Sequence, residues 1–281
     1  MIASLFEPFG YEFFRNGILV ATLAGALCGV LGVFVVLRGM SYIGHGLSHA
    51  VFGGAAASAV MGVNYFLGAG MWGIASGVVI GRIARRGLIG ADAAIGVVTT
   101  ASFALGLALL NRYGQAKKSI EAVLFGSVLG VGTGDIMAVL VVSVLTVAIV
   151  VVFYRKLLFT TFDPEVARVS GVRTAFYEAL LMAMLSLTVL VTMRVIGTLL
   201  ISALLVIPAS IARMLTNSFA RMLWIAPVIG AASAFVGMFA SYHLDSSASA
   251  SIILAGTVGF IAVYTATGVR GRSRIAHLHH V

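Results

Sequence analysis

The sequence predicts an all-α fold, a polytopic membrane helix bundle of about eight or nine transmembrane helices. Three observations carry that expectation: too few charges for a watery surface, successive apolar runs of membrane length, and basic residues gathered on alternate connections. Of 281 residues, 60% are hydrophobic and 10% are charged, with a mean hydropathy of +1.10. A soluble domain keeps about a quarter of its residues charged. The 18 basic and 9 acidic side chains, 27 in all, cannot cover a chain of this length in water. They suffice at helix ends in lipid.

A hydrocarbon core about 30 Å thick needs roughly 17–25 apolar residues per helix. Nine runs qualify in order: 16–37, 41–62, 65–81, 92–110, 134–153, 175–193, 195–212, 222–242 and 249–268. The third and seventh are short, and the seventh follows the sixth almost without a break, so one of them reads as a half-helix or re-entrant piece. The stretch 120–132, IEAVLFGSVLGVG, is long enough only to dip into the membrane or lie at its interface. The first run follows two acids, Glu7 and Glu12, and is long enough to span, so it is not read as a removable leader. Many of the 33 glycines fall inside the runs, as at Gly25 and Gly29, where small residues let helices approach closely. The lone cysteine, Cys28, rules out a disulfide framework and a thiolate metal site. With no repeat and no linker composition, residues 1–281 read as one transmembrane domain.

Basic residues stay on the cytoplasmic side of short loops. With the N-terminus outside, Arg38, Arg82, Arg85, Arg86, Arg155, Lys156, Arg168, Arg173, Arg213, Arg221, Arg270, Arg272 and Arg274 lie inside. Arg15, Arg112, Lys117, Lys118 and Arg194 lie outside. This bias predicts a multi-pass protein of the inner or cytoplasmic cell membrane. It also accounts for the net charge of +9, so nucleic acid is not needed as a partner.

Polar groups inside a membrane are costly and need a reason. In the second run, HGLSH places His45 and His49 four apart, on one face of a helix. Two imidazoles so placed can share one divalent cation, or each can bond a carbonyl or hydroxyl such as that of Ser48 and pack. A zinc protease needs a glutamate within that motif, and the position is Gly46. A phosphate-binding loop needs a lysine after glycine, but Lys117, Lys118 and Lys156 follow Ala116, Lys117 and Arg155. Neither enzyme class fits, and the chain is not read as an enzyme.

Between the fifth and sixth runs, FTTFDPEVARVSGVR (159–173) begins like a helix: Asp163 suits an N-cap, Pro164 the first position and Glu165 the first turn. Ser170-Gly171 suits the stop. Such a short loop helix is either a docking element or a merely structured loop. After the eighth run, SYHLDSSAS (241–249) offers His243 and Asp245 as candidate outer-loop metal contacts, or an ordinary polar loop. The tail AHLHHV, 276–281, reads as a solvated end.

Together these segments resemble the ABC-3 family, the membrane permease subunits of ATP-binding-cassette importers for zinc, manganese or iron(II). The likeness runs over roughly 15–268. It rests on GHGLSHAVFGG (Gly44–Gly54), DAAIGVVTT (Asp92–Thr100), FDPEVARVSG (Phe162–Gly171), GTLLISALLVIPASIAR (Gly197–Arg213) and SYHLDSSAS (Ser241–Ser249). Two departures stand out. The family's aspartate in GDALSHA is His45 here, and its outer-loop PSG is Ser247-Ala248-Ser249, with His243 where Tyr is frequent. The resemblance implies a homodimer around a central path and a separate cytoplasmic ABC ATPase coupled through Asp163, Pro164, Glu165 and Gly171. It also implies an extracytoplasmic metal-binding protein, and a divalent metal, zinc or manganese, carried as cargo rather than held as a stable cofactor. Imidazole in place of carboxylate favours zinc, with manganese open. Two other readings stand beside it: an ion-coupled secondary carrier relaying protons through His45, His49 and Glu178, and a permease for a metal chelate.

Overall fold

The computed structural model describes residues 7–85, 88–113 and 130–278, and all of their regular structure is helical. A short 3-10 turn, Glu7–Gly10, precedes α1 (Glu12–Leu37), α2 (Ile43–Met61), α3 (Tyr65–Arg85) and α4 (Ala91–Tyr113). After it come α5 (Thr133–Val152), α6 (Tyr154–Phe162), α7 (Pro164–Val169), α8 (Thr174–Leu215), α9 (Phe219–His243) and α10 (Ala248–Leu278). Most of the apolar stretch at 120–132 lies outside the described residues, as do Arg86, Lys117, Lys118 and the last three residues of the tail.

Seven helices are long and apolar enough to cross a membrane. Adding α2 and the shorter apolar arm Leu200–Leu215 makes nine among the described residues. The long apolar runs become helices because lipid offers backbone groups no partner, so each segment must satisfy its own. α2 is less apolar than the seven, and the bundle shelters it: fourteen of its nineteen residues are buried, with Ile43, Leu47 and Val51 wholly inside.

The sixth and seventh runs share one helix, α8, broken at Gly197, whose φ of 77° and ψ of 164° belong to a region that only glycine occupies at little cost. The two arms run in opposite directions. Along the first, Glu178 pairs with Arg85 and Ser186 donates to the Gly73 carbonyl at 3.0 Å, so the arm is antiparallel to α3. Beyond the break, the Ile196 carbonyl accepts from Ser249 at the start of α10 (3.1 Å), and the second arm descends beside α10. α8 therefore begins and ends at the same face, and Thr216–Ser218 lead directly into α9.

Close helix crossings need small residues. A Cβ on Gly29 would lie 2.6 Å from the Ala226 carbonyl oxygen, and Gly25 and Gly230 meet backbone to backbone, which is how α1 and α9 cross. Burial then divides the bundle into inner and outer helices. In α1, 78% of the membrane-length window is buried, against 17% in each of α5 and α10, whose remaining faces meet lipid.

The ends of the bundle differ. Arg38, Arg82, Arg85, Lys156, Arg168 and Arg213 gather at one end, together with α6 and α7. At the other end Phe14, Ile18 and Met238 form a small core, with Phe9 and Tyr242 packed on it.

Candidate functional site

His45 and His49 occupy the first two turns of α2, on one face as their spacing requires. Their Nε2 atoms stand 3.1 Å apart with the rings at right angles. Both side chains are half-buried, and His49 packs edge-on against Phe103 of α4 at a centroid distance of 4.6 Å. Ser48 does not serve either ring: its hydroxyl donates to the His45 carbonyl at 2.7 Å. The Nδ1 of His49 is buried without a hydrogen-bond partner, an arrangement that usually costs free energy. Two nitrogens each about 2.0–2.1 Å from one ion, at roughly a right angle, stand about 3 Å apart. The pair therefore has the spacing of two neighbouring ligands, and no third His, Cys, Asp or Glu joins it among the described residues.

The segment at 159–173 forms two helices where one was expected. α6 packs Leu157 fully into the core and turns Thr160 and Thr161 inward, contacts that local sequence does not announce. α7 follows the sequence signals closely. The Asp163 carboxylate accepts from the Val166 amide at 2.9 Å, Pro164 takes the first turn, and Gly171 leaves the helix at φ 81°. Val166 and Val169 are 49% and 90% exposed, so this small helix presents apolar side chains outward.

A cleft of about 620 Å³ opens beside α7, lined by Arg38, Arg85, Thr160, Asp163, Glu165 and Glu178 among others. Glu178 is held by Arg85. Arg38 donates to the hydroxyls of Thr160 and Thr161 at 3.2–3.3 Å. Burial lowers the pKa of this guanidinium and Glu178 opposes the shift, and the side chain remains charged. The sequence marked Arg38 only as a charge that fixes topology, because its partners lie more than 120 residues away.

At the opposite end, His243 closes α9 against Phe239 and Tyr242 and is exposed. Asp245 follows at φ 48°, and no hydrogen bond joins it to His243 among the described residues. The structure thus brings His45 and His49 together and sets Asp163, Pro164, Glu165 and Gly171 in one small helix. It leaves His243 and Asp245 as separate exposed groups.

The ABC 3 transport family matches residues 10–267. The chain is 35% identical, over 90% of its own length and 90% of the relative's, to a manganese transport system membrane protein, MntC, of Listeria innocua. It is 34% identical to a probable iron transport system membrane protein of Haemophilus influenzae, covering 95% of this chain and 98% of that one. Among solved structures, PsaBC from Streptococcus pneumoniae in complex with Fab is similar with a TM-score of 0.82 and 33% identity, covering 94% of this chain and 95% of that one. With a helical bundle of membrane length and a family match over nearly its whole span, this chain belongs to the ABC-3 family of metal-ion ABC transporter membrane proteins.

Proposed function

We propose that this chain is the translocating subunit of an ABC importer that carries a divalent first-row metal, manganese or zinc, into the cell past His45 and His49. The observation that carries the reading is the 3.1 Å approach of the two Nε2 atoms on a half-buried face of α2. An ion inside a bilayer must exchange water for ligands that hold it only weakly, or it would not leave. Two neutral imidazoles supply that without the electrostatic trap of several carboxylates. The named manganese relatives favour manganese, whereas the ligand type favours zinc, since oxygen donors suit manganese better.

The working assembly in this reading is a homodimer around a central path. Two copies of a separate ATPase dock at α7, where Val166 and Val169 stand exposed beside Glu165 and Arg168. A metal-binding protein meets the opposite end, near His243 and Asp245. Residues 1–281 act as one permease domain, with 160–173 as the coupling segment. The carrier reading would use Glu178 as a proton relay, but its carboxylate is already engaged by Arg85.

Uptake of labelled manganese and zinc by cells producing wild type, His45→Ala, His49→Ala and His45→Asp at matched levels tests the path. Loss with either alanine, and a shift toward manganese with aspartate, is expected. Full transport by the double alanine variant would return both residues to packing. Orientation is testable in the same cells, because the lone Cys28 is buried and silent to labels. A cysteine at Ser247 should react from outside and one at Arg272 only from inside, and the reverse pattern would overturn the inward direction.

A further inference from the structure

We propose that Arg38 is the strut through which the ATPase-docking segment moves the histidine-bearing helix, a positioning residue for transport rather than a metal ligand. The inference rests on the docking reading above.

Three features of the geometry lead to it. Arg38 sits just past the end of α1, and its Nε and Nη2 donate to Thr161 at 3.3 and 3.2 Å, with Nη2 also reaching Thr160 at 3.3 Å. Both threonines are buried, in the last turn of α6, and Asp163, the cap of α7, follows within three residues. Their own hydroxyl protons are already given to the Leu157 carbonyl, at 3.1 and 2.7 Å, so what they offer Arg38 is lone pairs. Two fixed acceptors facing a planar donor make a directional joint.

The second feature is the connection from Arg38 to α2. The Gly39 amide donates to the Val36 carbonyl (3.2 Å) and the Met40 amide to the Val35 carbonyl (3.0 Å), with Gly39 at φ 65°. This is a Schellman closure, which pins the turn to the end of α1. The Ile43 amide then donates to the Met40 carbonyl at 2.9 Å, and α2 starts at once, with His45 in its first turn. No slack segment lies between the guanidinium and the histidines to absorb a displacement.

The third feature is charge. Glu178, fixed by Arg85, faces the same cleft, so Arg38 is held between the α6 threonines and the negative field of α8. A shift of α7 therefore changes the balance at Arg38 and tilts the start of α2. A bond that served packing alone would not need to join the docking segment to the one helix that carries the imidazole pair.

The test uses the complete complex with its own ATPase and binding protein in proteoliposomes, with labelled manganese as the probe. Variants are Arg38→Lys, Arg38→Met, the isosteric pair Thr160→Val with Thr161→Val, and their combination. ATPase association and basal hydrolysis should stay as in wild type. Manganese imported per ATP should fall roughly tenfold in Arg38→Met and in the valine pair, mid-range for a coupling interaction, with Arg38→Lys between. The combined variant should lose no more than either part, because both break one joint. Unchanged import per ATP, losses that multiply in the combination, or loss of ATPase association in step with transport would each overturn the strut. A wild-type complex that assembles no ATPase and imports no manganese would instead sink the function reading itself.

Discussion

Two polar regions of this molecule are built on opposite terms. In the cleft beside α7 the charged groups are matched: Glu178 with Arg85, and Arg38 with Thr160 and Thr161. In the first turns of α2 the matching is incomplete, since His45 and His49 have each other and the Nδ1 of His49 has no partner. Satisfied polar groups fix a structure, whereas a buried nitrogen left open costs free energy that packing does not return. The difference separates residues that hold the bundle from residues kept for a passing ligand.

The largest effect expected is on uptake when the imidazoles go. Removing only the supporting partners of a metal ligand costs about 10–100-fold in affinity or activity, so losing both ligands should reduce metal uptake by at least about a hundredfold. The thermal midpoint of the His45→Ala, His49→Ala double variant should stay near that of wild type, because no satisfied hydrogen-bond network is lost. Uptake assays and melting of the detergent-solubilised protein check the two halves. A large fall in midpoint with little change in uptake would reverse the comparison.

Acidification should act on the same side of it. Imidazole binds metal only when neutral, so uptake by wild type should weaken as pH falls. In His45→Asp the fall should be shallower, since one imidazole has been replaced by a carboxylate that ionises at lower pH. Initial uptake rates across the acid range, at constant membrane potential, read this out. Identical profiles for the two proteins would remove the imidazoles from the rate-limiting path.

The reverse experiment starts from the matched region. Glu178→Gln keeps the shape of the side chain and removes its charge, leaving Arg85 with a weaker partner. The pair is only partly buried, at 30% and 17% side-chain exposure, so the expected cost is about 1 kcal/mol. That should appear as a lower melting midpoint. An ion-coupled carrier that used Glu178 as a proton relay would instead lose transport with no loss of stability, and that outcome would revive the carrier reading.

How much of this was legible in the sequence follows from the range of each interaction. Helices were legible because membrane thickness sets run length: 41–62 became Ile43–Met61 and 92–110 became Ala91–Tyr113. The histidine pair was legible because i, i+4 spacing is a local property. α6 was not, since YRKLLFTTF has no pattern until Leu157 finds the core and Thr160 and Thr161 find Arg38. The return of α8 showed in the sequence as two adjoining runs, but only the φ of Gly197 identifies where the chain turns. In the outer loop, spacing could not reveal that His243 would close a helix while Asp245 turned into the left-handed region.

The smallest effect expected is at the cap of α7, and it tests whether a matched polar group can also serve a partner. Asp163 accepts from the Val166 amide at 2.9 Å and so holds the first turn of a helix only six residues long. Replacing an N-cap of this kind by alanine costs about 1 kcal/mol. Little of that should appear in the melting of the whole bundle, because α7 buries only Ala167 and adds little to the core. The cost should fall instead on ATPase association, since the exposed Val166 and Val169 are presented by a turn that now frays. Asp163→Asn, which keeps the accepting oxygen, should retain most of the affinity, whereas Asp163→Ala should weaken it by about fivefold to tenfold, the binding equivalent of that cost. Equal loss in both variants would mean that the carboxylate charge, and not the cap, meets the partner. Unchanged association in both would remove α7 from the interface.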